Sequence, residues 1–533
     1  MQTTLHIHFR KSCSMNQQRI RNSRAAIAIV AIAFIGLSDN AAKSQLVAFP
    51  GAVGQGAAAV GGRGGDVYHV TNLSDYNDDK GESKIEGSLR HAIRSAKGPR
   101  TIVFDVGGAI KLHAPLGIEK SNLTIAGQTA PGGITVWSYP ANVSQVSDVV
   151  IRYLRVRTGD FNARAAKAAT ATGDAAGHGA HDLDASTANG FDIGRSDRVI
   201  LDHISAAWGM DETLSVTHSH NITVQNTIIA LSLNNSFHPK GAHGYGTLIR
   251  GELTPADQEA GKGGYTFYGN LWAFHRARNP SIGGQQKLAA GETEEVRRRT
   301  DVNLVNNVVY GWGDQPTHRS EFGEVRINMV GNFYINGPKK KSDYIFNEGN
   351  PARTELYAEG NMLDSDQNGA HNGVAVGLPA DIRRTFRQFG PEDVLIGATD
   401  GKPFNFFATV ADDVLPAEKA YARVIGHAGA SVSRDAIDSK IMDAIVHRTG
   451  TLIDTQEIFR DQNGKLPGID DLPSSTRPAN FDADQDGMSD EFEADHGLNP
   501  KDPADRNDTK LSKEGYTNLE VYLNSLIPLE TSP

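Results

Sequence analysis

The chain has 533 residues, of which 22% are charged and 39% hydrophobic, with 53 Lys and Arg against 63 Asp and Glu, 56 glycines and one cysteine. An acidic balance excludes a protein that gathers nucleic acid or another polyanion through its overall field, and a lone cysteine excludes an internal disulfide framework. Length alone suggests three or four domains, but one solenoid can absorb several hundred residues, so domain count stays open.

Arg19, Arg21 and Arg24 precede an uninterrupted apolar run, Ala25 to Leu37, followed by the small-residue stretch Asn40-Ala41-Ala42-Lys43-Ser44. This layout predicts a secretory signal over residues 1–44 and a secreted or extracytoplasmic protein. The 13-residue run is too short to span a bilayer, and no other stretch approaches that length, so no transmembrane segment is expected. Cys13 would leave with the signal. The remaining chain carries 47 Lys and Arg against 62 Asp and Glu, a net charge of −15. An acidic polymer would then have to be attracted by a local basic cleft or a bridging cation.

Downstream, short apolar segments of one kind recur: Val149–Val156, Val199–Ile204, Ile222–Ile229, Tyr265–Trp272, Val302–Val309, Val325–Tyr334 and Leu356–Met362. Most alternate apolar and polar residues and then bend into a second apolar pair. Asn226, Asn270, Asn307, Asn332 and Asn361 sit at the bend, at intervals of 44, 37, 25 and 29 residues. Such spacing fits coils with insertions of variable length, and predicts an all-β chain folded as a right-handed parallel β-helix with an asparagine ladder. A β-sandwich fits less well, because hairpin signals such as Asn-Gly are scarce.

Ser88–Arg94 reads as a helix capping the solenoid, and Phe161–Ala188 as an exposed insertion near a cleft. The solenoid is expected over 45–377. An extension at 378–470, helical from Val410 to Ile453, would pack on it or cap it, and a small module would occupy 471–533.

Residues 49–136 are similar to the N-terminal part of polysaccharide lyase family 1, the pectate lyases, in ordered blocks: FPGAVGQGAAAVGGRGGDVYHVTNL, GSLRHAI, PRTIVFDVGGAI and LTIAGQTAPGGITV. The similarity continues through LDHISAAWGMDETLSV, HPKGAHGYGTLIRG and HRARNPSIGG, and covers about residues 49–370. The resemblance implies β-elimination on a uronate polymer such as pectate. The C5 proton leaves beside a carboxylate, and a hard cation, calcium, stabilises the resulting charge.

By the same resemblance Arg278 is the proton-abstracting arginine, Asp211 an acidic calcium ligand, and Asn189 stands where the family usually carries an aspartate. Ser215 replaces another acid, leaving Glu212, Asp182 and Asp184 as nearby substitutes. Lys240 and Arg276 would grip substrate carboxylates; His238, His243 and His275 border the same motifs as acids, substrate contacts or polar turn residues, and His238 and His243 are counted with Lys240 and Arg276 as substrate-binding. Asp202 reads as a structural carboxylate satisfied by backbone donors. Where further arginines are common, Ser281 and Gly283 stand. A monomer is expected.

The stretch Asp482 to Glu493 carries Asp482, Asp484, Asp486, Asp490 and Glu493 at positions 1, 3, 5, 9 and 12 of a twelve-residue loop, with Gly487 at 6. This is the EF-hand ligand spacing. Leu472–Asn480 is rich in Pro and Ser rather than helical, so a shortened calcium loop resembling dockerin or thrombospondin type 3 repeats is expected, extended by Asp502, Asp505 and Asn507 and closed by a helix over Gly515–Leu526. Its expected role is stability or attachment. Two other readings stay open on residues alone. A β-helical hydrolase of the polygalacturonase kind would use Asp211-Glu212 and Asp182/Asp184 as paired carboxylates. A noncatalytic carbohydrate-binding solenoid would give Arg278 no role.

Overall fold

The computed structural model describes residues 46–528 apart from 165–180, 285–297, 321–322, 340, 350–352, 378–381 and 398–400. The expected signal and the middle of the 161–188 insertion lie outside the described residues. Three sheets of eleven, nine and eleven strands, almost wholly parallel, form a right-handed parallel β-helix. Each coil places one strand in each sheet. Phe191–Gly194 lies in the nine-stranded second sheet, Asp197–Asp202 in the first and Ser205–Ala207 in the third; Glu212–Thr217, His220–Gln225 and Ile228–Ala230 stack on them in the same order.

The recurring apolar segments are therefore pairs of strands from the first and third sheets. One residue with positive φ turns the chain between them: Tyr153, His203, Asn226, Gly269, Asn306, Gly331 and Gly360. The next residue forms the ladder. Asn307 Oδ1 accepts from the backbone N–H and side-chain amide of Asn270 at 2.9 and 3.1 Å, and Asn332 Oδ1 and Asn361 Oδ1 serve the coils before them in the same way. Asn226 corrects the expectation. Gln225 pairs with Tyr268, so Asn226 aligns with Gly269 at the turning position and Thr227 stands in the ladder. Asn226 instead donates to Asp202.

Asn307→Ala removes an acceptor for two donors and an amide that donates to Phe267 O and Asn332 Oδ1. Leaving these buried groups unpaired should cost about 3 kcal/mol, read as a lower denaturant midpoint with an unchanged slope. A loss within experimental error would show that the ladder only decorates the turn.

Alternate residues of the first-sheet strands point inward and stack coil on coil: Val199 and Leu201, Ile222 and Val224, Tyr265 and Phe267, Val302 and Leu304, Ile327 and Met329. The outer face of that sheet is covered by the N-terminal arm, where Ala48, Phe49, Ala52 and Ala57 pack on Val150 and Ile200. Gly56 passes so close that a Cβ would lie 2.4 Å from Thr223 N, which is why glycine stands there.

The third sheet is covered by helices Ala417–His427 and Ala436–Val446. The helix side and the sheet are joined by a solvent-free ion cluster in which Arg157 Nη2 reaches Asp435 at 3.1 Å and Asp438 at 2.7 Å. First-sheet pairing continues to Val394–Gly397, past residue 377. At the N-terminal end, helix Leu89–Arg94, capped by the Ser88 hydroxyl, buries Leu89, Ala92 and Ile93 in the core. No helix among the described residues is long and apolar enough to cross a membrane.

Candidate active site

The site lies on the second sheet and the turns leading into its strands. Stacking brings distant residues into one row: Phe191 pairs with Leu214, so Asn189 aligns with Glu212. Glu212 pairs with Tyr245, and Tyr245 bridges Ala277. Arg278, at φ 62°, follows at once, and Thr247 N–H donates to its carbonyl at 2.7 Å. Its guanidinium carbon stands 4.2 Å over the Tyr245 ring, and Nη1 meets Glu212 Oε1. The ring fixes the plane of the cation from below while Glu212, 2% exposed, fixes its direction.

Asp211 faces two stacked imidazoles. Its Oδ1 is 2.9 Å from His243 Nε2 and 3.9 Å from His238 Nε2, and the two rings lie 3.6 Å apart and nearly parallel. Burial, then the neighbouring His243, pushes His238 down to about 4, so this ring is neutral. Lys240 N–H donates to His238 Nδ1 at 3.1 Å, which leaves the ring proton on Nε2, toward Asp211. Both histidines are buried and back Asp211, while the Lys240 side chain beside them is exposed. Arg276 is engaged by Asp314 at 2.5 Å and by the Ala242 carbonyl, and so steadies the 238–243 loop.

Asn189 is a connector: its amide donates to Asp192 at 2.6 Å and its oxygen accepts from Glu212 N–H at 2.9 Å. Of Asp211, Asn189 and Glu212, Asp211 and Glu212 each carry a buried oxygen, Oδ1 and Oε1, that accepts no hydrogen bond of good geometry; His243 Nε2 lies against the first and Arg278 Nη1 against the second. Asp182 is held by Lys80 and Tyr139, each at 2.6 Å, and Asp184 by the Ser186 turn. His275 is a core strut between Ser232 and the Ile229 carbonyl, driven down to about 4 by burial. Asp202 is satisfied by side chains rather than by backbone. Burial alone would raise it, but His203 and Arg152, followed by Gln225, hold it far below the usual carboxylate range.

Three residues of this face escape a linear reading. Asp192 is pushed up to about 7 by burial and by Asp211, against the Asn189 amide. Tyr245 carries Arg278. His318, in register with Ser281, is held down to about 4 by burial and by the charge of Arg278. Strand register joins Tyr245 and His318 to the turn that carries Arg278, whereas Asp192 reaches the row through the Asn189 amide.

At the other candidate centre, Asp482, Asp484 and Asp486 bring carboxylate oxygens within 4.8 Å of one another, and Asp486, Glu493 and Asp505 do the same. Asp490 departs from the EF-hand expectation. It opens helix Asp490–His496, and its carboxylate turns back to accept from Ala483 N–H at 2.8 Å. Burial and then the neighbouring carboxylates push Glu493 up to about 8; burial likewise lifts Asp486 to about 7.

A strand solenoid bearing an arginine, a buried glutamate and a half-buried aspartate on one face has the make-up of a polysaccharide lyase. No family profile matches the chain. It is similar to the protein named "Probable pectate lyase C" of Aspergillus flavus, 34% identical over 491 residues that cover 91% of this chain and 95% of that protein. The same-named protein of Emericella nidulans is also 34% identical, over 490 residues covering 91% and 94%. Among solved structures, the major allergen from cedar pollen matches 71% of this chain and 92% of its own at 16% identity, with a TM-score of 0.46. The chain belongs to the pectate lyase family, and is a polysaccharide lyase.

Proposed function

We propose that the chain is a secreted enzyme that cleaves pectate, a polymer of galacturonate, by β-elimination at the Arg278 row, leaving a 4,5-unsaturated end. The observation that carries this reading is the Arg278 guanidinium fixed between Tyr245 and Glu212 beside Asp211. A guanidinium with a pKa above ~12 is a poor base at neutral pH. Its contact with Glu212 supplies a route: as Arg278 receives the C5 proton, a guanidinium proton passes to the Glu212 carboxylate. The C5–H electron pair forms the C4–C5 double bond, the C4–O bond breaks, and the leaving oxygen takes up a proton. Lys240, at the rim, holds a neighbouring carboxylate of the polymer.

Calcium fits this face through Asp211, whose Oδ1 accepts no hydrogen bond of good geometry; bound there, it would withdraw charge from the uronate carboxylate. The Asn189 amide oxygen accepts from Glu212 N–H, and Glu212 Oε1 faces Arg278. The protein alone thus offers a small part of the six to eight oxygens calcium takes, and the substrate carboxylate must complete the set. Half-saturating calcium should accordingly fall as pectate concentration rises, in a matrix of lyase rates against both. Asp211→Asn should raise the calcium requirement about tenfold or more. A half-saturation point indifferent to pectate would mean a preformed calcium site and sink this account.

The deciding assay is ultraviolet absorbance during incubation with polygalacturonate. An absorbing unsaturated product supports the lyase reading, whereas reducing ends without absorbance would mean hydrolysis.

A further inference from the structure

The C-terminal loop is more than a run of acids. Glu493 is 0% exposed and neither of its carboxylate oxygens has a hydrogen-bond partner; Asp486 is 0% exposed and its Oδ2 has none. Both side chains point into the space shared with Asp482, Asp484 and Asp505. Two buried carboxylates with three oxygens lacking donors, surrounded by three more acids, are costly unless a cation takes the place of the missing partners. His69 Nε2 approaches Asp482 at 3.6 Å while its Nδ1 faces Asp105, and one imidazole does not balance five acids.

The same loop is built into the solenoid. Met488 and Phe492, with Leu519, Tyr522 and Leu523 from helix Asn518–Ser525, form one apolar cluster with Val103 and Ala126 from the outer side of the first sheet. His69 belongs to Asp66–Val70, the strand that ends that sheet. Arg63 pairs with Glu520 at 2.7 Å, Arg477 donates to Thr129 O at 2.5 Å, and Ser475–Thr476 pairs antiparallel with Val106–Lys111. Asp486 Oδ1 accepts from Met488 N–H at 2.9 Å, so the acid cluster sets the position of the residue that anchors the loop in the shared apolar cluster.

We propose that Asp482, Asp484, Asp486, Glu493 and Asp505 hold a calcium ion, with Asp505 in the place the loop spacing assigns to Asp490, and that this ion clasps the C-terminal module onto the first coils of the solenoid. All-oxygen donors in this number suit calcium, whereas magnesium keeps most of its waters.

The test uses the full chain and needs no substrate. Calcium should raise the melting temperature of the wild type, magnesium much less, and chelator should speed amide exchange in both the 482–493 loop and strand Asp66–Val70. Asp505→Asn keeps an acceptor for Asn499 N–H but removes a charge, and should weaken calcium binding at least about tenfold. Glu493→Gln should abolish the calcium-induced rise. In chelator, both variants should melt no lower than the wild type, since each relieves repulsion among unpaired acids; that comparison separates loss of a ligand from damage to the fold. The proposal is overturned if calcium leaves the wild-type melting temperature unchanged, if Asp505→Asn binds calcium as the wild type does, or if exchange quickens in the loop alone.

Discussion

Arg278→Lys is expected to fold, to bind oligogalacturonate and to lose turnover by about 10²- to 10⁴-fold, the range over which a positioned proton-transfer group acts. Lysine keeps the positive charge, so a purely electrostatic role for this position would survive much of the change. It loses the planar fork that lies on Tyr245 and meets Glu212 at once. Initial rates of unsaturated product, set beside binding of a saturated oligomer, separate the two roles. A variant within a few-fold of wild-type turnover would take Arg278 out of the proton-transfer step.

Arg278 could be singled out because its Asn-Pro neighbourhood sits in an ordered series of similar blocks. The partners that orient its guanidinium could not. Spacing marks Glu212 as a substitute ligand beside Asp211, yet its partner lies two coils further along, where register rather than spacing decides contact. The solenoid itself was legible because its alternation repeats with each coil. The one-residue misplacement of Asn226 has a specific cause: asparagine is tolerated both at positive φ and in the ladder, so residue type alone does not distinguish the two positions. Asp505 illustrates the same limit at the C-terminus. Loop spacing named Asp490, but a helix beginning at that residue redirects its carboxylate to the backbone, and an acid 15 residues later in the chain comes into the cluster.

Glu212→Gln distinguishes a proton relay from simple orientation. Glutamine has the same shape, keeps an oxygen toward Arg278 and can still be buried at this position, but it cannot accept a guanidinium proton. If Glu212 receives that proton, kcat should fall about 10²-fold or more with KM little changed, since the interaction is made in the transition state. Removing one partner of a half-buried pair should also lower stability by about 1–3 kcal/mol, which a melting curve would register without accounting for the rate. Added calcium provides the control. It should restore much of the activity of Asp211→Asn, where charge at a cation-binding oxygen has been lost, and none of that of Glu212→Gln. If calcium rescues Glu212→Gln as well, Glu212 belongs to the cation site and Arg278 must lose its proton by another route.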